Sequence, residues 1–253
     1  MEAILNFDLA IFEFFENFIR QGWLNPIMWL ITHLGDDGIF FIIIGLVMLF
    51  FKKTRKAGVI CLGSLLIMTL LNNELLKPLI ERPRPYNLAR LPEATKEVID
   101  YYAAKGKTVD ASKYDWVGFF GRIDWTIDRF PGLAEKWNAG YVFPEVIDRM
   151  SPKSLSFPSG HTSSAFTFAL ALTLAVRKFF TKKTTSIVAA VAFVFAALMG
   201  ISRVYVGVHY PSDVIMATFV GLVYALIGYF VISPIYDKIE AAIKNKLAKK
   251  KAK

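Results

Sequence analysis

Residues 57–80 read AGVICLGSLLIMTLLNNELLKPLI, and this apolar stretch decides the class of the fold. A helix needs ~20 residues to cross the roughly 30 Å of hydrocarbon in a bilayer, and this stretch is long enough. Hydrophobic residues make up 55% of the 253-residue chain, which exceeds what ordinary soluble domains carry. We therefore predict an integral membrane protein built from α-helices.

Further apolar runs predict additional spans on both sides of this one. They are Trp23–Leu34, Ile39–Phe51, His161–Val176, Ser186–Ile201 and Val214–Ile232. Several need flanking residues to cross the membrane, and the first must borrow from the helix that precedes it. Together they predict an all-α bundle of six membrane helices that forms a single domain over residues 1–253.

The N-terminal segment predicts an amphipathic helix at the membrane interface. Its apolar residues recur at helical spacing beside acidic ones: Leu5, Leu9, Ile11, Phe12, Phe15 and Ile19 beside Asp8, Glu13 and Glu16. A cleavable signal peptide begins with basic residues, so we expect this acidic segment to be retained.

Clusters of Lys and Arg predict the orientation, because such residues concentrate on the cytoplasmic side of membrane proteins. The three clusters are Lys52–Lys56, Arg177–Lys183 and Lys238–Lys253, and they occupy alternate connections. Both termini are therefore expected inside the cell, with residues 238–253 as a basic cytoplasmic tail that binds anionic lipids. Because the charge lies in short clusters beside apolar runs, nucleic acid is not expected as a partner despite a net charge of +9.

The segment Arg82–Lys153 is expected outside the cell, as an extracytoplasmic insertion between spans three and four. It carries nearly balanced charges and many aromatic residues, a mixture typical of short amphipathic helices. Two interpretations remain open at this point. The insertion either covers a substrate site or forms a compact cap with no role in binding.

Three sequence blocks fall at the predicted outer ends of the spans. The blocks are Lys77 with Arg84-Pro85, Pro158-Ser159-Gly160-His161, and Ser202-Arg203 with His209 and Asp213. The span assignment rests only on apolar runs and basic clusters, yet it places all three blocks on the same side. Their chemistry is therefore expected to act together.

The blocks contain the groups that bind and stabilise a phosphate ester. Lys77, Arg84 and Arg203 supply three cations, and phosphoryl transfer depends mainly on positioning and charge stabilisation. The Gly160 and His161 amides should fall in the first turn of a helix, where free N–H groups bind anions. Ser159 adds a hydroxyl.

Two histidines remain for covalent and proton chemistry. Asp213 lies four residues after His209, so the carboxylate can share a helix face with the imidazole, fix its tautomer and leave one nitrogen to attack phosphorus. We interpret His209 as the nucleophile and Asp213 as the residue that orients it. His161 is expected to protonate the leaving oxygen and then to activate water.

The remaining candidates are interpreted as structural. His33 matches none of the blocks, Cys61 lies in an apolar run, and Asp36 with Asp37 is expected to form a solvated turn. No set of residues has the spacing of metal ligands, so neither a metal nor another cofactor is expected.

The three blocks resemble the tripartite signature of the type 2 phosphatidic acid phosphatase superfamily, with every residue in order from Lys77 to Asp213. The resemblance implies a six-helix membrane fold and metal-independent dephosphorylation through phosphohistidine. It also implies phosphate contacts from Lys77, Arg84, Ser159, Gly160 and Arg203. That family includes phosphatidylglycerophosphate, undecaprenyl diphosphate and lipid A phosphatases, glucose-6-phosphatases and vanadium haloperoxidases, so the signature identifies the chemistry better than the substrate.

The sequence thus predicts a multi-pass phosphatase of the cytoplasmic membrane that acts on a lipid phosphate or diphosphate at the outer face. Two alternatives remain: a phosphatase of small soluble phosphate esters, and a non-enzymatic transporter of anionic lipids. A soluble haloperoxidase is disfavoured by the membrane spans. The sequence gives no indication of the headgroup, the lipid chain or the oligomeric state.

Overall fold

The computed structural model describes residues 2–82, 84–85, 103–104 and 155–251. Most of these residues are helical. In chain order the α-helices are α1 (Glu2–Phe14), α2 (Asn25–Leu34), α3 (Ile39–Phe50), α4 (Arg55–Leu70), α5 (Lys77–Ile80), α6 (Gly160–Val176), α7 (Lys182–Tyr205) and α8 (Pro211–Lys251). Single turns of π-helix at Phe15–Ile19 and Leu71–Leu76, and of 3₁₀-helix at Gly22–Leu24 and Asp36–Gly38, connect or extend them.

Within the described residues, three helices are long and apolar enough to cross a membrane. They are Arg55–Ile80, Lys182–Tyr205 and Pro211–Lys250. The segments Gly22–Leu34 and Asp36–Phe50 meet at a bend of 49°, and they make a fourth span if the bent pair is counted as one. The helix Gly160–Val176 is apolar but shorter. The prediction of an α-helical membrane protein is confirmed, whereas the count of six spans stays a prediction.

Two further predictions concern the insertion and the tail. The predicted helical insertion, Arg82–Lys153, lies outside the described residues except at 82, 84–85 and 103–104. The basic tail is helical as far as Lys251 because α8 continues through it without a break. Its Lys, Ala, Leu and Glu residues are strong helix formers, so the helix of the last span extends beyond the apolar run.

The described residues belong to two compact units, each built from segments distant in sequence. The first unit draws on Met1–His33, Leu75–Ser159 and Ile201–Met216. The second draws on Leu34–Glu74, Gly160–Gly200 and Ala217–Lys253.

In the second unit, glycines allow helices to approach closely. A Cβ added at Gly58 would lie 2.7 Å from the carbonyl oxygen of Gly45, where α4 packs on α3. A Cβ at Gly221 would lie 2.8 Å from the carbonyl oxygen of Ser163, and one at Gly228 would lie 2.0 Å from the hydroxyl oxygen of Ser64. Small residues at such interfaces drive helix association in membranes, where apolar burial gives little advantage over lipid.

Buried polar side chains of the same unit satisfy one another. Tyr224 donates a hydrogen bond of 3.3 Å to the amide oxygen of Asn72, and the amide nitrogen of Asn72 lies 3.5 Å from the hydroxyl of Ser163. Thr167 donates 3.0 Å to the carbonyl oxygen of Gly221. Such bonds remove the cost of placing polar groups inside a membrane helix bundle.

We expect Gly228→Ala to lower the free energy of unfolding by about 1–3 kcal/mol, because the new methyl group overlaps Ser64 on α4. Thermal unfolding in detergent measures the change. Leu226→Ala on the exposed face of the same helix is the control and should change stability much less. Adding Ser64→Gly to Gly228→Ala should restore part of the loss, and equal losses with and without it would contradict this packing.

Candidate active site

A tight connection between α7 and α8 places His209. Gly207 has φ +70°, a left-handed conformation that glycine adopts at little cost, and its amide donates to the carbonyl oxygen of Val204 at 3.0 Å. The amides of Val208 and His209 both point to the carbonyl oxygen of Arg203, at 3.2 and 3.4 Å. The turn therefore fixes the backbone of His209 against the end of α7.

Two carboxylates cap the beginning of α8, whose first amides have no partner within the helix. Asp213, in the first turn, accepts the amide of Tyr210 at 3.0 Å, as the acidic residue of a capping box does. Asp8, from α1, accepts the amide of Ser212 at 2.7 Å and its hydroxyl at 2.7 Å. Both side chains are fully buried, and their negative charges match the positive end of the helix dipole.

Arg82 joins these two carboxylates. One nitrogen, Nη2, lies 2.6 Å from Asp8, and the other, Nη1, lies 2.7 Å from Asp213. The guanidinium also stacks on the ring of Tyr210, and Cζ of Arg82 lies 3.8 Å from the ring centroid. Burial alone lowers the pKa of Arg82, but Asp213, Tyr210 and Asp8 together raise it above its ordinary value. Arg82 is therefore a permanent cation at this position.

The Nδ1 side of the buried His209 faces Asp213, although the contact is not direct. The Nδ1 to Oδ2 distance is 3.7 Å, which suits an ion pair but is too long for a hydrogen bond. The hydroxyl of Ser156 lies 3.5 Å from Nδ1 and donates a short hydrogen bond to Asp213. The sequence spacing thus brings histidine and aspartate together as predicted, and Ser156 is an additional group between them.

The other nitrogen of His209, Nε2, lies 3.3 Å from Nη1 of Arg84. Because a guanidinium can only donate, Nε2 must accept and carries no proton in this arrangement. The proton of the neutral ring is then on Nδ1, which faces the hydroxyl oxygen of Ser156 at 3.5 Å. This tautomer leaves the lone pair of Nε2 next to a cation.

The three predicted phosphate-binding cations all belong to the first unit. Arg84 donates to the carbonyl oxygen of Val208 at 3.3 Å, and its charge acts on Lys77, so these two cations are close. Arg203 is largely buried and donates a short hydrogen bond to Thr32. Like charges held near each other in a membrane protein favour the binding of an anion.

The block Pro158-Ser159-Gly160-His161 crosses from one unit to the other. Ser159 is fully buried in the first unit, and Gly160 begins α6 in the second, as predicted. A Cβ at Gly160 would meet no described atom within 4 Å, so none of the described residues blocks the first turn of α6 at this position. A ligand could approach the backbone there.

His161 pairs with the carboxylate of Asp36, which the sequence predicts in a solvated turn. Its Nε2 lies 2.9 Å from Oδ1 of Asp36, and both side chains belong to the second unit. The Asp36 side chain is 30% exposed, so this residue of the turn is partly solvated and also has a partner that the sequence spacing did not indicate. Its neighbour Asp37 is exposed, as expected.

Sequence reasoning missed Asp8, Arg82 and Ser156 in the first unit and Asp36 in the second. Each is polar and adjoins an apolar stretch or a predicted block, but nothing in the spacing names its partner. Asp8 is 74 positions from Arg82 in the chain. A carboxylate amid helical apolar residues was the available signal, and it was interpreted as part of a polar face.

A family model described as the PAP2 superfamily matches residues 57–235 of the chain. Phosphatidylglycerophosphatase B from Bacillus subtilis is 29% identical over 231 residues, covering 88% of this chain and 80% of that protein. An undecaprenyl-diphosphatase from Sulfolobus acidocaldarius is 24% identical over 220 residues, covering 87% of this chain and 76% of that protein.

Two solved structures share the fold. A transmembrane PAP2-type phosphatidylglycerolphosphate phosphatase from Bacillus subtilis aligns with a TM-score of 0.57 and 28% identity, covering 94% of this chain and 89% of that one. LpxE from Aquifex aeolicus aligns with a TM-score of 0.52 and 21% identity, covering 87% and 93%, and so bears on the fold alone.

We expect Asp8→Ala to destabilise the protein by about 2–4 kcal/mol, because it removes one partner of a buried ion pair and the cap on Ser212. The loss of stability should lie toward the low end of this range, because Arg82 keeps Asp213 as a partner. Thermal unfolding in detergent measures it. Glu13→Ala, an exposed acid on the same helix, is the control, and equal effects of the two changes would contradict the role of Asp8.

Proposed function

Because the chain belongs to the PAP2 superfamily, we propose that it is a membrane phosphatase that hydrolyses a lipid phosphate through a phosphohistidine intermediate. The observation that carries this proposal is the environment of His209. Its Nε2 lies 3.3 Å from Nη1 of Arg84, which can only donate, while Nδ1 faces Ser156 and Asp213. An imidazole held in this tautomer has the lone pair that attack on phosphorus requires.

In the proposed first step, Nε2 of His209 forms a bond to phosphorus as the bond from phosphorus to the lipid oxygen breaks. The electron pair of that bond goes to the leaving oxygen, which takes a proton from His161. The charge that develops on His209 is stabilised by Asp213, whose own charge Arg82 holds in place. Lys77, Arg84 and Arg203 are proposed to bind the phosphate oxygens, with Ser159 and the Gly160 amide.

In the proposed second step, water attacks the phosphohistidine. A bond from the water oxygen to phosphorus forms, the bond from phosphorus to Nε2 breaks, and the electron pair returns to the ring of His209. The proton released by water goes to His161, which restores its acid form for the next turnover. The protein's own cations provide the charge stabilisation in both steps, so activity is expected without an added metal.

A lipid substrate is supported by the membrane-spanning helices and by the relatives. A relative and a solved structure from Bacillus subtilis, each aligned over most of this chain, are named for phosphatidylglycerophosphate, a phosphate monoester. The relative named as an undecaprenyl-diphosphatase has a lower sequence identity to this chain over a similar share of it, so it supports undecaprenyl diphosphate less strongly. We therefore propose a lipid phosphate as the substrate class and phosphatidylglycerophosphate as the first to test.

The proposed arrangement places the site at the outer face of the cytoplasmic membrane and the C-terminal tail in the cytoplasm. Asp8 contacts Arg82 and Ser212 at that face, so the N-terminal helix is proposed on the outer side as well, and the predicted cytoplasmic N-terminus is not retained. The proposed arrangement is supported by basic clusters in alternate connections, at Lys52–Lys56, Arg177–Lys183 and Lys238–Lys253. The three signature blocks fall at the opposite ends of the same spans.

We expect the purified protein to release phosphate from phosphatidylglycerophosphate in detergent micelles, and to do so equally well in EDTA. His209→Ala should abolish both turnover and the acid-labile phosphoenzyme, since it removes the nucleophile. Asp213→Asn should slow turnover by about 10³ to 10⁴-fold by disturbing the tautomer of His209. Phosphate release and label trapped from ³²P-substrate measure these effects.

The panel should also contain phosphatidic acid, undecaprenyl diphosphate, a lipid A phosphate and glucose 6-phosphate. Release from the sugar phosphate alone would indicate a phosphatase of soluble esters. Counterflow of lipid without phosphate release would indicate a transporter. Loss of activity in EDTA that Mg²⁺ restores would contradict the metal-independent mechanism.

Labelling of single cysteines tests the orientation. With the buried Cys61 replaced, Ser112→Cys in the insertion should react with an impermeant thiol reagent in intact cells, because the insertion is proposed to be outside. Thr181→Cys, an exposed position in a basic connection, is the matched control and should react only after the cells are opened. The reverse pattern would contradict the orientation.

A further inference from the structure

The turn between α2 and α3 holds the side chain of His161 in the second unit. The ring nitrogen Nε2 lies 2.9 Å from Oδ1 of Asp36, a hydrogen-bonded ion pair when the ring is protonated. The two residues are 125 positions apart in the chain. This contact is therefore a product of the fold and not of local sequence.

The same turn also packs directly against the imidazole of His161. A Cβ added at Gly35 would lie 2.5 Å from Cδ2 of His161 and 2.6 Å from the sulfur of Met199. Only glycine leaves room for the ring in this position. The turn thus provides both a surface on which the ring packs and, one residue later, a carboxylate for its Nε2.

We propose that Asp36 is a positioning residue for His161, so that the chain has a second histidine–aspartate pair in addition to that of His209 and Asp213. This inference rests on the proposed function, in which His161 transfers protons. With Nε2 bound to Asp36, the proton for the leaving group is carried by Nδ1. The carboxylate fixes the orientation of the ring and stabilises its charged form.

His161 loses one proton and regains one in each turnover. His161 begins as imidazolium, gives the Nδ1 proton to the lipid oxygen as the bond from phosphorus to oxygen breaks, and becomes neutral. It regains a proton from the attacking water in the second step. Asp36 keeps its charge throughout, and its contribution is greatest while the ring is charged.

The two carboxylates of this turn provide a matched pair for the test. Asp37 has the same charge, lies one position away and is exposed, with φ +50°. Asparagine tolerates that conformation, so Asp37→Asn changes charge at this turn without straining it. Asp36→Asn likewise keeps the shape of the side chain but removes the charge that faces His161.

The experiment compares substrates with poor and good leaving groups: phosphatidylglycerophosphate and p-nitrophenyl phosphate. A leaving alkoxide needs a proton, whereas p-nitrophenolate leaves without one. We expect Asp36→Asn to lower kcat/KM for the lipid by about 10- to 100-fold and that for p-nitrophenyl phosphate by less than about 2-fold. Because kcat/KM reports the steps up to loss of the leaving group, slow hydrolysis of phosphohistidine does not affect it.

A double-substitution cycle with His161 completes the test. In a His161→Ala background, Asp36→Asn should cause no further loss, since the group through which Asp36 is proposed to act is gone. Asp37→Asn should leave kcat/KM unchanged for both substrates, with His161 present or replaced. Full activity of Asp36→Asn on p-nitrophenyl phosphate also demonstrates that the variant is folded.

The other outcomes would contradict the inference, or the proposed function together with the inference. Equal losses of Asp36→Asn on both substrates would indicate a merely structural turn and would overturn the inference, as would a further loss in the His161→Ala background. A wild-type protein that releases phosphate while Asp36→Asn behaves like Asp37→Asn contradicts the inference alone. A wild-type protein that releases no phosphate from any member of the lipid panel contradicts the proposed function, and the inference with it.

Discussion

The guanidinium of Arg82 lies between two buried carboxylates, Asp8 and Asp213, and the first unit is organised around this contact. Buried carboxylates destabilise a fold unless they are paired and hydrogen-bonded, and here the amides of Tyr210 and Ser212 complete the bonding. The network ties α1 and the residues after α5 to the start of α8. Since Asp213 also faces His209, the interaction that stabilises the unit sets the charge around the candidate nucleophile.

In the second unit, the packing of the helices is determined mainly by close contacts at small residues and less by charge. Gly58, Gly221 and Gly228 each permit a helix contact that a methyl group would prevent, and Gly35 does the same for the ring of His161. In a membrane, where lipid competes equally for apolar surfaces, such close approach is what makes one arrangement of helices better than another. The position of His161 therefore depends on small residues as much as on its aspartate.

The sequence predicted the membrane class, the helices and the grouping of His209 with Asp213 because each depends on local patterns. Apolar length identifies a span, and a spacing of four residues places two side chains on one helix face. Asp8, Arg82, Ser156 and Asp36 escaped this reasoning, because their partners are remote in the chain. An acid next to an apolar face has the same pattern whether it meets water or a buried arginine, and only the folded chain distinguishes the two.

The two histidine–aspartate pairs differ in a way that suits their proposed roles. His161 contacts Asp36 directly at 2.9 Å, whereas His209 is 3.7 Å from Asp213, whose charge is shared with Arg82 and Ser156. A direct contact with a carboxylate favours imidazolium, the form that donates a proton. A nucleophile must instead be neutral when it attacks, so a carboxylate already balanced by a guanidinium can orient the ring without holding a second proton on it. In the proposed mechanism the difference between acid and nucleophile thus follows from how each aspartate is paired.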